Sequence, residues 1–185
     1  MNARASEFEL RLATIADVAA LTVLMTRSIR ELSKGFYSEA QIESAAKYIG
    51  IPDPEIIEDH TYFAVERLGV VIACGGWSRR RKLFRGAAEQ EDLVQEFLDP
   101  STDSAKIRAM FVDPDYRRQG LGEMIYLASV DAARGAGYGS VELMATMPGV
   151  PFYRRMGFGQ EEPLNIQLPD GTNLPGIQMY KFLGA

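Results

Sequence analysis

The chain has one cysteine, one histidine and one tryptophan among 185 residues, and these scarcities close off several classes of function. A lone Cys74 excludes an internal disulfide, and no His/Cys/carboxylate cluster has metal-ligand spacing, so neither a disulfide scaffold nor a metal centre is expected. Cys74 lies in the apolar pattern Val70-Val-Ile-Ala-Cys74 and reads as a small core residue rather than a nucleophile. No apolar run approaches the roughly 20 residues that a membrane helix requires. The opening Met-Asn-Ala-Arg-Ala-Ser-Glu-Phe8 has no apolar signal segment, so a cytoplasmic location with no membrane partner is the expectation. Positive charge is also in deficit. With 20 Lys+Arg against 25 Asp+Glu the net charge is −5, which argues against a nucleic-acid partner. The one concentrated basic run, Arg79-Arg-Arg-Lys82, is followed by Glu89, Glu91, Asp92 and Glu96. It reads either as a solvated loop that these acids neutralise or as a basic rim for a phosphate or an acidic substrate group.

What is present suits one globular domain over 1–185, since 46% hydrophobic content is enough for a sizeable core. Phe8 to Leu12 alternates like a strand, and Thr14-Ile-Ala-Asp17 has the spacing of a capping box at the head of a helix reaching about Ser33. Ser38-Glu-Ala-Gln41 starts a second helix to about Tyr48, and Asp53-Pro54 caps a short third. Thr61 to Arg67 and Val70 to Ser78, joined by Leu68-Gly69, predict a hairpin. Residues 79–105 form a long polar connection with a short helix around Glu91 to Phe97. Beyond it lie a central strand from Ile107, a helix from Leu121 to Arg134, a strand from Val141 to Thr146, and a closing pair of strands at 165–168 and 176–182 turned by Pro169-Asp-Gly171. That order gives an α/β protein with a mixed sheet.

The most informative stretch is Ile107-Arg-Ala-Met-Phe-Val-Asp-Pro-Asp-Tyr-Arg-Arg-Gln-Gly-Leu-Gly122, a strand leading through a proline turn into two glycines that open a helix. A helix start carries unpaired backbone N–H groups and about half a positive charge, and Gly120 and Gly122 allow a pyrophosphate to approach the backbone. Arg117 and Arg118 add fixed charge at the same place. Two familiar phosphate motifs do not fit: a dinucleotide fingerprint needs a glycine where Ile125 stands, and no Gly-Lys-Ser/Thr follows to make a P-loop. What remains, Arg117-x-x-Gly120-x-Gly122 after a strand, resembles the coenzyme A motif of the GNAT superfamily of acyl-CoA-dependent N-acyltransferases. About thirty residues on, Pro151-Phe-Tyr-Arg-Arg-Met-Gly-Phe158 is similar to that family's Phe-Tyr-x-x-x-Gly-Phe element.

The resemblance, which spans about 8–183 and is strongest over 106–158, implies a mixed, mostly antiparallel sheet whose two central parallel strands splay apart, flanked by helices. It implies acetyl-CoA as cosubstrate, with the main chain of Met110, Phe111 and Val112 on the pantetheine arm and Arg117, Arg118, Gln119, Gly120, Leu121 and Gly122 on the pyrophosphate. It also implies Tyr153 as proton donor to the departing thiolate and a backbone amide, that of Met110, as oxyanion donor. The family's glutamate near the start of the central strand is replaced by Lys106, which leaves Glu142, His60, a water chain or an acceptor that arrives deprotonated as alternatives for removing the amine proton. An asparagine expected before the tyrosine helix is replaced by Thr146 and Met147. The resulting expectation is an N-acetyltransferase acting on a primary amine of a small molecule. A protein or peptide N-acetyltransferase with an open acceptor groove and a non-catalytic CoA-binding sensor are the alternatives. The sequence leaves the oligomer open, a homodimer included.

Overall fold

The computed structural model describes residues 8–85, 90 and 92–184. Its elements run β1 (Glu9–Leu12), α1 (Val18–Leu32), α2 (Glu39–Tyr48), α3 (Pro54–Glu58), β2 (Tyr62–Arg67), β3 (Val70–Ser78), β4 (Ala105–Val112), α4 (Leu121–Gly135), β5 (Ser140–Thr146), α5 (Val150–Arg155), β6 (Gly159–Gln167) and β7 (Asn173–Phe182). The strands form one sheet in the order β1-β2-β3-β4-β5-β7-β6. Every neighbouring pair is antiparallel except β4 and β5.

Alternation along β2 and β3, interrupted by a bulge where Val65 pairs with Ala73 and Glu66 with Val71, distributes the helices over the two faces. Tyr62, Ala64 and Cys74 pack against Leu21, Leu24 and Met25 of α1, while Val65, Ile72 and Ala73 pack against Leu121 and Ile125 of α4. Both predicted helix starts have their acidic or amide partner in place. The Asp17 carboxylate accepts from the Thr14 backbone N–H at 2.7 Å, although residues 15–17 form a 3-10 turn ahead of α1. Ser38 and Gln41 cap each other reciprocally at the head of α2.

Two features of β4 shape everything that follows. Its parallel pairing with β5 is confined to Ala105↔Val141 and Lys106↔Glu142, and beyond Lys106 the two strands diverge. Against β3, Cys74 pairs with Phe111 and Gly76 with Arg108, which sets Ala109 and Met110 opposite Gly75 alone. This is a β-bulge, and it kinks the strand away from its neighbour. Ala109 carries the strain with a φ of +51°, and the buried Tyr62 hydroxyl holds it by donating to the Ala109 carbonyl at 2.8 Å. Gly75 keeps the crossing close: a Cβ would stand 2.5 Å from the Met110 sulfur and 3.1 Å from Met110 Cα, so a larger residue would displace the Met110 side chain.

Several expectations need correction. β6 begins at Gly159 rather than 165, and β7 at Asn173 rather than 176. β6 is an edge strand with only Ile166 buried, so it shows no alternation to read, and it tolerates Pro163 because edge strands can spare a donor. The helix expected at 91–97 is a 3-10 turn at Asp92–Gln95, with Glu91 outside the described residues. Asp53 stands at the N-cap of α3, with Pro54 at the first position, but its carboxylate does not cap. It turns inward to Lys82 at 3.1 Å, Arg85 at 2.9 Å and the buried Arg108. The basic run is therefore the charge-compensated, solvated loop only in part: Arg79 and Arg81 are exposed, whereas Arg80 and Lys82 turn inward. Arg80 grips Asp59 at 2.7 Å, Arg81 reaches Glu96 at 2.9 Å, and Lys82 is buried between Asp53 and Glu55. Arg80 and Lys82 fasten the segment after β3 to α3 and its two ends, while Arg81 ties that segment to Glu96 further along the same connection.

Candidate active site

The divergence of β4 and β5 opens a cleft of about 740 Å³ that runs between α1 and α2 on one side and α4 and α5 on the other. Met110, Phe111 and Val112 line its floor, followed by Arg117, Arg118, Gly120, Leu121 and Gly122 at the head of α4. Gln119, grouped with them from the sequence, is exposed and outside the lining.

The turn into α4 has a geometry that suits an anion. Arg118 and Gly120 have φ values of +59° and +83°, and alternation of this kind turns successive N–H groups into one concavity. Gly120 is the N-cap of α4 and supplies no side-chain cap, so the first-turn donors remain open to a ligand. A Cβ on Gly120 would meet no atom within 4 Å, so that side of the turn is bare space. A Cβ on Gly122 would touch the Phe152 ring at 3.5 Å, which shows how closely α4 and α5 flank the channel. Arg27 of α1 pairs with Asp113 and Asp115 and ties that wall to the loop carrying the arginines.

Tyr153 sits on α5 in the opposite wall. Its ring is wedged edge-to-face between Phe152 and Phe158, at centroid distances of 5.1 and 5.6 Å. No described residue hydrogen-bonds its hydroxyl, and burial pushes its pKa well above the ordinary tyrosine value. Cys74 contributes to the floor, and burial pushes its thiol up to about 12, so it stays protonated and is no nucleophile.

Neither sequence candidate for a base belongs to the cleft. Glu142 is held by Lys106 and by Gln178 at 2.9 Å and does not line the channel. His60 is exposed just past α3, also outside it. Glu123, at the head of α4, is the only carboxylate among the described lining residues.

Sequence reasoning missed Tyr37. Its hydroxyl donates to the Pro175 carbonyl at 2.6 Å and accepts from the Met147 N–H at 2.8 Å, joining the loop before α2 to β7 and to the end of β5. Gln41 adds a bond to the Asn173 carbonyl at 2.8 Å, and Ser44 bonds the Asp170 carboxylate. Beneath these contacts Ile42, Ala45 and Ala46 pack on Ile166, Leu168 and Leu174. The α2 side of the cleft is thus walled by the β6–β7 hairpin. The adjoining Gly75-Gly76, two glycines inside a strand pattern, was the one local signal of the bulge that went unread.

The model of the acetyltransferase (GNAT) family matches residues 26–158. The chain belongs to the GNAT acetyltransferase family. It is accordingly an acyltransferase, and the solved structures it resembles share its fold. A GCN5-related N-acetyltransferase from Rhodopseudomonas palustris superposes with a TM-score of 0.71 at 19% identity, covering 96% of this chain and 97% of that one. The PaiA N-acetyltransferase from Thermoplasma acidophilum, solved in complex with coenzyme A, gives 0.65 at 16% identity, covering 95% and 98%. The ribosomal-protein-S18-alanine N-acetyltransferase from Escherichia coli gives 0.57 at 18% identity, covering 96% and 95%. No curated protein matches the sequence. Among the described residues no helix is long and apolar enough to cross a membrane, and no group of three or more His, Cys, Asp or Glu side chains is placed to hold a metal.

Proposed function

We propose that this GNAT enzyme transfers the acetyl group of acetyl-CoA to a primary amine of a small molecule by direct attack. The pyrophosphate would rest on the N–H groups and arginines of Arg117 to Gly122, and the pantetheine arm along the main chain of Met110 to Val112. The amine nitrogen bonds to the thioester carbonyl carbon, the carbonyl oxygen takes the negative charge beside the Met110 amide, and the C–S bond then breaks. Tyr153 gives its hydroxyl proton to the departing thiolate, and the attacking nitrogen loses its own proton to water. A cleft whose acceptor end has no base among the described lining residues is compatible with this chemistry. An ammonium entering an apolar site loses solvation, its pKa falls, and the free amine becomes the bound form.

The observation that carries the small-acceptor reading is the wall from Tyr37 to Ser44. A peptide or protein acceptor needs an open groove between α2 and the β6–β7 hairpin, and three side chains bridge that gap. The test is release of free CoA from acetyl-CoA with matched panels of small primary amines and of N-terminal peptides. Turnover of small amines with kcat/KM at least tenfold above the best peptide is the expected result, the threshold being about 1.4 kcal/mol of discrimination. A peptide preferred to every small amine would overturn the reading.

A further inference from the structure

The two ends of the cleft differ in charge. At the head of α4 and the tail of α5 the lining carries Arg117, Arg118, Glu123 and Arg155. At the other end it consists of the apolar side chains of Ile29, Leu32, Ala45, Ile49, Phe111 and Leu174. The polar side chains there carry hydroxyls, those of Ser28, Ser33, Tyr37 and Thr146, and the Tyr37 hydroxyl is already committed to Pro175 and Met147. No described carboxylate lines this chamber. The nearest buried acid cluster, Asp53 with Glu55, is taken up by Lys82, Arg85 and Arg108 and does not reach the lining.

Resting on the small-amine reading above, we propose that the acceptor is a primary amine with an uncharged, apolar body, of the class of arylalkyl or alkyl monoamines, and that polycationic amines are rejected. The reacting nitrogen can shed its proton and enter neutral. A second ammonium on the same molecule has to stay charged or be deprotonated too, and among the described residues of the chamber no carboxylate stands ready to pair with it. An apolar body, in contrast, gains from leaving water against Ile29, Ile49 and Leu174. The chemistry balances as for any acetyl transfer: one N–C bond forms, one C–S bond breaks, and the products are an amide and free CoA.

The test compares 2-phenylethylamine and hexylamine with putrescine and spermidine on the full-length protein at saturating acetyl-CoA, and repeats the comparison with Leu32→Glu, which sets a carboxylate in the chamber. The monoamines should exceed the polyamines in kcat/KM by about a hundredfold or more, the scale set by stranding a second charge without a partner. Leu32→Glu should shrink or reverse that ratio while leaving calorimetric binding of CoA unchanged. Because the ratio in the parent protein is read first, a variant that failed to fold would not rescue a wrong inference. Polyamines favoured by the parent protein overturn this inference and leave the small-amine reading standing. Peptides favoured over all four amines, or no acetylation of any amine by protein that binds acetyl-CoA, overturn both.

Discussion

Replacing Tyr153 by phenylalanine isolates a single O–H group, because no described residue hydrogen-bonds it. The ring stays edge-to-face with Phe152 and Phe158. No described residue bonds the hydroxyl, so its removal strands no partner, and Tm should stay within about 2 °C of the parent. The kinetic effect follows from the surroundings of the leaving sulfur. Cys74, a thiol in the same cleft, is pushed by burial up to about 12. A CoA thiolate expelled into the cleft also leaves water and is a stronger base there than in solution. Burial raises the Tyr153 pKa as well, so donor and acceptor shift in the same direction, which limits the change in driving force from the mild uphill step of the reference values. A well-placed general acid is worth about 10²–10⁴ in rate, so kcat should fall at least a hundredfold, about 2.7 kcal/mol of transition-state stabilisation. CoA affinity should change by no more than about threefold, since the ground state does not use the proton. Steady-state release of CoA from acetyl-CoA with a turned-over amine, paired with calorimetry, reads both quantities. Parental kcat in the variant, with a single-turnover experiment showing that chemistry limits the rate, would reduce Tyr153 to a packing residue.

Two further changes probe the anion turn and the buried ion cluster. Gly120→Val puts a β-branched side chain at a φ of +83° and aims its Cβ into the open side of the turn. Acetyl-CoA affinity should drop about tenfold or more with the circular-dichroism spectrum unchanged, and parental affinity would remove the phosphate-site assignment. Asp53→Asn leaves Arg108, Lys82 and Arg85 without the carboxylate they share, at a cost of about 3–5 kcal/mol, or roughly 6–20 °C in Tm. Burial by itself would raise the Asp53 pKa, but the charges of Arg108, Lys82 and Arg85 outweigh it and hold it below 3.8. The stabilisation is therefore complete above about pH 4 and disappears as pH falls through the lower folded value. The Tm gap between parent and variant should be full at pH 6 and narrow in strong acid, and a gap independent of pH, or absent at pH 6, would refute the assignment.

What could be read from the sequence was whatever depends on neighbours within a turn or two. The anion turn is of this kind: its glycines, proline and arginines lie within ten residues of one another, and the chain from β4 into α4 folds as their order requires. The Tyr153 helix and the β2–β3 hairpin were legible for the same reason. The buried cluster was not, because Lys82 meets Asp53 across 29 positions and Arg108 meets it across 55, and a run of four basic residues looks solvated until those partners are known. The wall at Tyr37 depends on partners 110 and 138 positions away, in segments that carry no local mark of contact. The sequence candidates for a base belong to the same category. Glu142 and His60 qualified by chemistry and by approximate place in the chain, but the register of β4 on β5 hands Glu142 to Lys106, and the turn after α3 leaves His60 outside the cleft. Chemical competence can be listed from a sequence, whereas availability is decided by which groups the fold has already paired. With both candidates paired or outside the cleft, the acceptor's proton is left, in the proposed mechanism, to desolvation in the apolar chamber and to water. This ties the lack of a base among the described residues there to the proposed preference for an acceptor with an uncharged body.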